Sequence, residues 1–133
     1  MTEPARTTPD SVAGNFWPLL RQADRDDGRL RELLAELSRA ELIRFYRDYV
    51  QLAGELREPP YAAAESSQDA AEDIAWWVVA QGEQTYRRIY DHPEQTPTQL
   101  PRDRAGLGFI SQLGDVFFER FGEELTSVDL GQV

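Results

Sequence analysis

SSQDAAEDIAWWVVAQGEQTYRRIYDHP, Ser66 to Pro93, is the most patterned stretch of the chain, and its reading decides the fold. Two serines suited to capping a helix, Ser66 and Ser67, come first. Asp69, Glu72 and Asp73 fall in the turns that follow, where the partial positive charge of a helix N-terminus favours carboxylates. Ala70, Ile74, Trp77 and Val78 then recur at spacings of three and four, a pattern that buries one face. Gly82 interrupts the run, and Tyr86, Ile89 and Tyr90 resume it. Asp91-His92-Pro93 stops it, because proline cannot continue a helix and disfavours helical geometry in the residue before it. The stretch predicts a helix, a bend or break, and a second helix.

Upstream, the clearest periodicity is Leu42, Phe45, Tyr46, Tyr49, Leu52, Ala53 and Leu56. It predicts a helix from Arg39 to Gly54 or Leu56, opened by a capping box in which Ser38 and Glu41 satisfy each other's backbone N–H groups. Glu58-Pro59-Pro60 ends it. Before it, Leu30, Leu33, Leu34 and Leu37 mark a helix over Arg29–Leu37, capped by Asp26 or Asp27. Phe16, Leu19, Leu20 and Ala23 mark another over Phe16–Asp24, capped by Asn15, with Pro18 tolerated in its first turn. Tyr61 to Glu65 reads as one or two helical turns. Residues 94–104 are a loop with two prolines. Gly106–Gly122 forms the last helix, with Gly122 as terminator. No alternating run suits a strand, so the expected fold is all-α, a compact single-domain bundle of five to six helices. The expected boundaries are a disordered tail over 1–13, a helical domain over 14–125 and a C-terminal tail over 126–133.

The chain has 133 residues and no cysteine, which excludes thiol nucleophiles, disulfides and cysteine metal sites. All fourteen basic residues are arginine, so Schiff-base chemistry and lysine-dependent phosphate loops are excluded too. No segment approaches the roughly 20 apolar residues of a membrane span, and the N-terminus lacks a signal-peptide core. The expected location is the cytoplasm. Charge is uneven. Leu20–Arg57 carries eight arginines and eight acids, whereas Glu58–Val133 carries five arginines and fourteen acids. Such a surface repels phosphate backbones and argues against nucleic-acid binding; it fits solubility or a basic partner.

The order of these residues resembles a bacterial family catalogued as domain of unknown function 4240. Asn15-Phe16-Trp17, Leu37 to Glu41, Phe45, Tyr61, Ser67, Asp69, Trp77 to Gly82, Asp91, Pro93 and Phe117 to Leu125 carry the likeness. The chain departs from the family pattern at Gln68 and Ala75, where the family tends to have an acid and an arginine, and Ala64-Glu65-Ser66 replaces a glycine-rich lead-in. The resemblance implies a helical fold and a possible regulatory setting, and it brings no mechanism.

Candidate functional residues follow from the same stretch. Asp69, Glu72 and Asp73, at i, i+3 and i+4, share a helix face and suit either a partner's basic side chain or a hard cation; first-turn acids also simply complement the helix dipole. Trp77 lies on the apolar line and is expected in the core. Trp76, about 100° round the helix, either covers another helix or stands in a contact surface. His92 is the only histidine and is expected at a helix C-terminus. Two functions stand open: a non-enzymatic acidic interaction module using Asp69, Glu72, Asp73, Trp76 and Tyr61 on a protein partner, or a metal- or small-molecule-binding protein, even a weak hydrolase, built on the carboxylates and His92. No cofactor or catalytic residue is expected, and oligomeric state is not legible.

Overall fold

The computed structural model describes residues 7–62 and 67–128. Among these residues the regular structure is entirely helical: α1 (Phe16–Ala23), α2 (Asp27–Ala35), α3 (Arg39–Leu56), α4 (Gln68–Gln81), α5 (Glu83–Asp91) and α6 (Phe109–Phe121), with single 3-10 turns at Pro93–Gln95 and Leu125–Ser127. This is the all-α bundle that the periodicities predict.

Three of the six helix starts, those of α2, α3 and α4, are set by side chains at the positions expected. Ser38 accepts from the Glu41 N–H at 3.1 Å while the Glu41 carboxylate accepts from the Ser38 N–H at 2.9 Å, completing the capping box. Asp26 accepts from the Arg29 N–H and Ser67 from the Ala70 N–H. Because Asp26 is the cap, α2 begins at Asp27, two residues ahead of the expected start, and it ends at Ala35 rather than Leu37. The carbonyls left over there are taken up by Arg120 of α6, whose guanidinium donates to the Leu34 and Leu37 oxygens. Asn15 makes no side-chain cap, and α6 begins at Phe109 because Gly106 has φ +88°, outside the helical region. Gly122 closes α6 in the left-handed conformation, as a terminator should. In the segment expected to hold helical turns, Tyr61 and Ala62 both donate to the Glu58 carbonyl; the remainder of it, with Ser66, lies outside the described residues.

The long α3 is the central element, packing against α4 on one side and α6 on another, with α2 between α1 and α6 and α5 folded back beside α4. Phe16, Leu30, Leu34, Leu42, Tyr49, Leu52, Val78, Tyr86, Phe109, Leu113 and Phe117 form the fully enclosed centre. Ion pairs clamp α6 to the elements before it: Arg31 to Glu119 at 2.6 Å and Arg39 to Glu123 at 2.8 Å. Arg39 holds the Glu123 carboxyl below the usual carboxylate range, chiefly by hydrogen bonding.

Residues 7–13, the part of the expected tail that falls within the described residues, lie against the bundle. The Trp17 indole N–H donates to the Pro9 carbonyl at 2.9 Å, the Ala13 N–H donates to Asp48 at 2.9 Å, and Arg87 pairs with Asp10. Three specific polar contacts hold this stretch of tail-like composition on the bundle. Residues 1–6 lie outside the described residues. At the other end, Leu125 is buried and Val128 packs on the core.

Candidate functional site

At about 100° per residue, Asp69, Glu72, Asp73 and Trp76 fall within one arc of α4 roughly 100° wide. The structure thus brings four of the five expected site residues onto one flank of a single helix. Within it, Glu72 is the structural member. Its carboxylate accepts from the Trp76 indole N–H at 3.3 Å and stands 3.9 Å from the Arg57 guanidinium at the end of α3. Trp76 is partly buried: its ring lies 5.9 Å from that of Tyr49, and the Tyr49 hydroxyl donates to the Trp76 carbonyl at 3.1 Å. It therefore covers α3 with one face. Asp69 and Asp73 are exposed and have no ion-pair partner among the described residues.

Tyr61 belongs elsewhere. It is buried, and its hydroxyl donates to the Tyr90 carbonyl at 2.8 Å while the two rings stack 6.0 Å apart. Its exposed edge lines a groove of about 380 Å³ whose walls also include Leu56, Ala71, Ile74, Pro93 and Pro97. Ala71 and Ile74 lie on the opposite side of α4 from the arc of acids. His92 sits at the C-terminus of α5 with its Nδ1 3.4 Å from Glu94. Among the described residues no group of three or more His, Asp or Glu side chains is placed to hold a metal ion, so the carboxylates of α4 and His92 do not form one ligand set.

The expectation that Trp77 is core is corrected. The enclosed face of α4 is Ile74, Ala75, Val78 and Val79, rotated from the predicted line, and Trp77 is only partly buried. Its indole N–H reaches the Asp103 carbonyl at 2.7 Å. A helix packed this closely against α3 has room for small and β-branched residues at the centre, and the two indoles are displaced to its flanks, one on each side.

The run from Trp77 to Gly82 has a structural purpose. Gln81 donates to the Trp77 carbonyl at 3.1 Å and the Ala105 carbonyl at 3.0 Å, and accepts from Arg25 at 3.3 Å; Arg25 pairs in turn with Asp103. Ala80 faces Gly106 so closely that a Cβ built on Gly106 would lie 2.7 Å from the Ala80 methyl. Gly82, at φ +108°, turns the chain from α4 into α5. Trp77, Ala80, Gln81 and Gly82 thus fasten the loop before α6 to the α4–α5 corner.

The groove residues Leu56, Pro93 and Pro97 were not legible as a site. In sequence the prolines mark a loop and Leu56 a helix end; only the fold brings them together. Charge is the one signal that carried over. Between Glu58 and Thr98, the segment that supplies nearly every wall of the groove, there are eight acids and two arginines, and one of those, Arg87, already serves Glu83 and Asp10. No helix of the described residues is long and apolar enough to cross a membrane. No family model, curated protein or solved structure matches the chain.

Proposed function

We propose that the protein is a non-enzymatic helical interaction module that recognises a positively charged protein partner through its acidic middle segment. The observation behind this reading is where the ion pairs fall. Arg31 and Arg39 neutralise Glu119 and Glu123, Arg25 neutralises Asp103, and Arg87 neutralises Asp10 and Glu83. The largest share of the surplus negative charge, eight acids against two arginines, falls on the segment Glu58–Thr98 that presents Asp69 and Asp73 and walls the groove at Tyr61. Exposed carboxylates without partners steer and orient a cationic surface more than they add affinity. A cytoplasmic setting and a regulatory role fit this reading, and so does the resemblance to family 4240, which remains a reading of residues.

The test is the double variant Asp69→Arg/Asp73→Arg. Native protein immobilised from its host's lysate should retain a partner at low salt and release it as salt rises, because charges beyond a Debye length of about 8 Å at physiological salt are screened. The double variant should retain at least several-fold less while melting at nearly the native temperature. Equal retention by both proteins at low and high salt would sink the proposal.

A further inference from the structure

We infer that the groove at Tyr61 is a docking site for an extended segment of another protein, one that inserts a single prolyl or aliphatic side chain between flanking arginines or lysines. The inference rests on the cationic-partner reading above and adds a place, a shape and a second chemistry to it.

Three features of the groove select that occupant. Its lining is apolar, with the Tyr61 ring, Leu56, Ile74 and Ala71 on one side and Pro93 and Pro97 on the other. At about 380 Å³ it suits one or two side chains, not a helix or a second domain. Its aromatic member is also immobilised. The Tyr61 hydroxyl is consumed by the Tyr90 carbonyl, and its ring stacks on Tyr90, which stacks on Tyr86 at 6.1 Å. A ring held in this way offers its exposed hydrocarbon edge without further loss of rotamer freedom, and its hydroxyl is already committed to Tyr90, so recognition there is by apolar shape.

Charge at the rim decides the flanking residues. Glu94 is itself a lining residue, with a carboxylate 71% exposed, and Glu58 is exposed where the chain enters the groove. Asp69, Glu72 and Asp73 lie on the far side of α4, so Glu94 and Glu58 carry the charge at the rim itself. A second copy of this chain, at a formal net charge of −10, is repelled from such a rim. An acidic or phosphorylated segment is repelled in the same way. A peptide with arginine or lysine on either side of the inserted residue satisfies both the rim and the apolar floor.

The probe is a synthetic peptide, Gly-Arg-Arg-Pro-Leu-Arg-Arg-Gly, compared with one in which Gly-Gly replaces Pro-Leu, leaving the charge unchanged. Binding is followed by calorimetry and by amide shift mapping on the full chain. The Pro-Leu peptide should bind about ten- to hundredfold more tightly than the Gly-Gly peptide, as burial of one aliphatic side chain requires. Its shifts should centre on Tyr61, Ile74 and Thr96–Thr98. Ala71→Leu fills the groove from a helix position that tolerates leucine, and should abolish that advantage. Glu94→Arg should weaken the Pro-Leu peptide several-fold and flatten its salt dependence. Equal binding of the two peptides, or shifts confined to the Asp69–Asp73 flank, would overturn the groove while leaving the cationic-partner reading intact. Failure to bind either peptide, together with lysate retention unaffected by Asp69→Arg/Asp73→Arg, would overturn both. Concentration-dependent dimerisation relieved by Ala71→Leu would replace the proposed occupant with a second copy.

Discussion

Gly106→Ala is the sharpest test of the packing at the corner between α4 and α6. Gly106 has φ +88°, a region in which an L side chain is strained, and the new methyl would arrive 2.7 Å from the Ala80 Cβ. The left-handed backbone costs about 1–2 kcal/mol for a residue with a Cβ. The collision adds about 1–3 kcal/mol, since Ala80 is fully enclosed on a helix and has no rotamer with which to retreat. The expected loss is therefore about 2–5 kcal/mol, read from urea melts as a fall in midpoint at unchanged slope. The two contributions separate in a cycle with Ala80→Gly, which removes the opposing methyl. The double variant should lose about 1–3 kcal/mol less than the sum of the singles, and the remainder is backbone strain. A loss below about 1 kcal/mol for Gly106→Ala, or strict additivity in the cycle, would refute the close approach.

Asp48 is the one buried charged residue among those described, and burial pushes its carboxyl up, opposed by the Ala13 N–H and by Arg47 and Arg44. A raised folded-state value means that this group's contribution to stability is complete below the ordinary aspartate range and is lost as pH rises through the raised value. Asp48→Asn keeps an acceptor for Ala13 and should remove that component, leaving stability at pH 7 no lower than native. Asp48→Ala strands the Ala13 N–H and should cost about 1–3 kcal/mol at pH 7; melts from pH 3 to 7 that gave the two variants equal losses would contradict this. Trp77→Ala should cost about 1–3 kcal/mol, less than the 3–5 kcal/mol of an enclosed ring, and a larger loss in denaturant would mean that the indole is fully buried after all. Ser38→Ala should cost about 1 kcal/mol through loss of the cap and leave every contact of α4 unchanged, as amide exchange confined to the start of α3 would verify.

Where the chain's local chemistry decides the outcome, the residues were readable in order. Ser38 and Glu41, Asp26, Ser67, Gly82 and Gly122 each act on their own helix end, within four residues of themselves, so their spacing suffices. The rotation of α4 was not readable, because Ala70, Ile74, Trp77 and Val78 fit the helical period as well as Ile74, Ala75, Val78 and Val79 do. What chooses between them is the distance to α3, and that belongs to the pair of helices. The contacts of residues 7–13 were not readable for a similar reason: Trp17, Asp48 and Arg87 stand 8, 35 and 77 positions along the chain from Pro9, Ala13 and Asp10. The candidate site was half legible. Asp69, Glu72, Asp73 and Trp76 share a flank because one helix carries them all, whereas Tyr61 reaches its neighbours only through the path of α5 and the loop after it.

The rings of Tyr61, Tyr90, Tyr86 and Trp17 form a continuous column, with centroids 6.0, 6.1 and 5.6 Å apart. It begins at the wall of the groove and ends at the indole that holds Pro9. Rings this close let excitation pass from tyrosine to tryptophan, so light absorbed at Tyr61 is expected to reach Trp17 as well as Trp76 and Trp77. A segment seated on Tyr61 would then announce itself in the native protein's own fluorescence, with no dye attached and no residue changed.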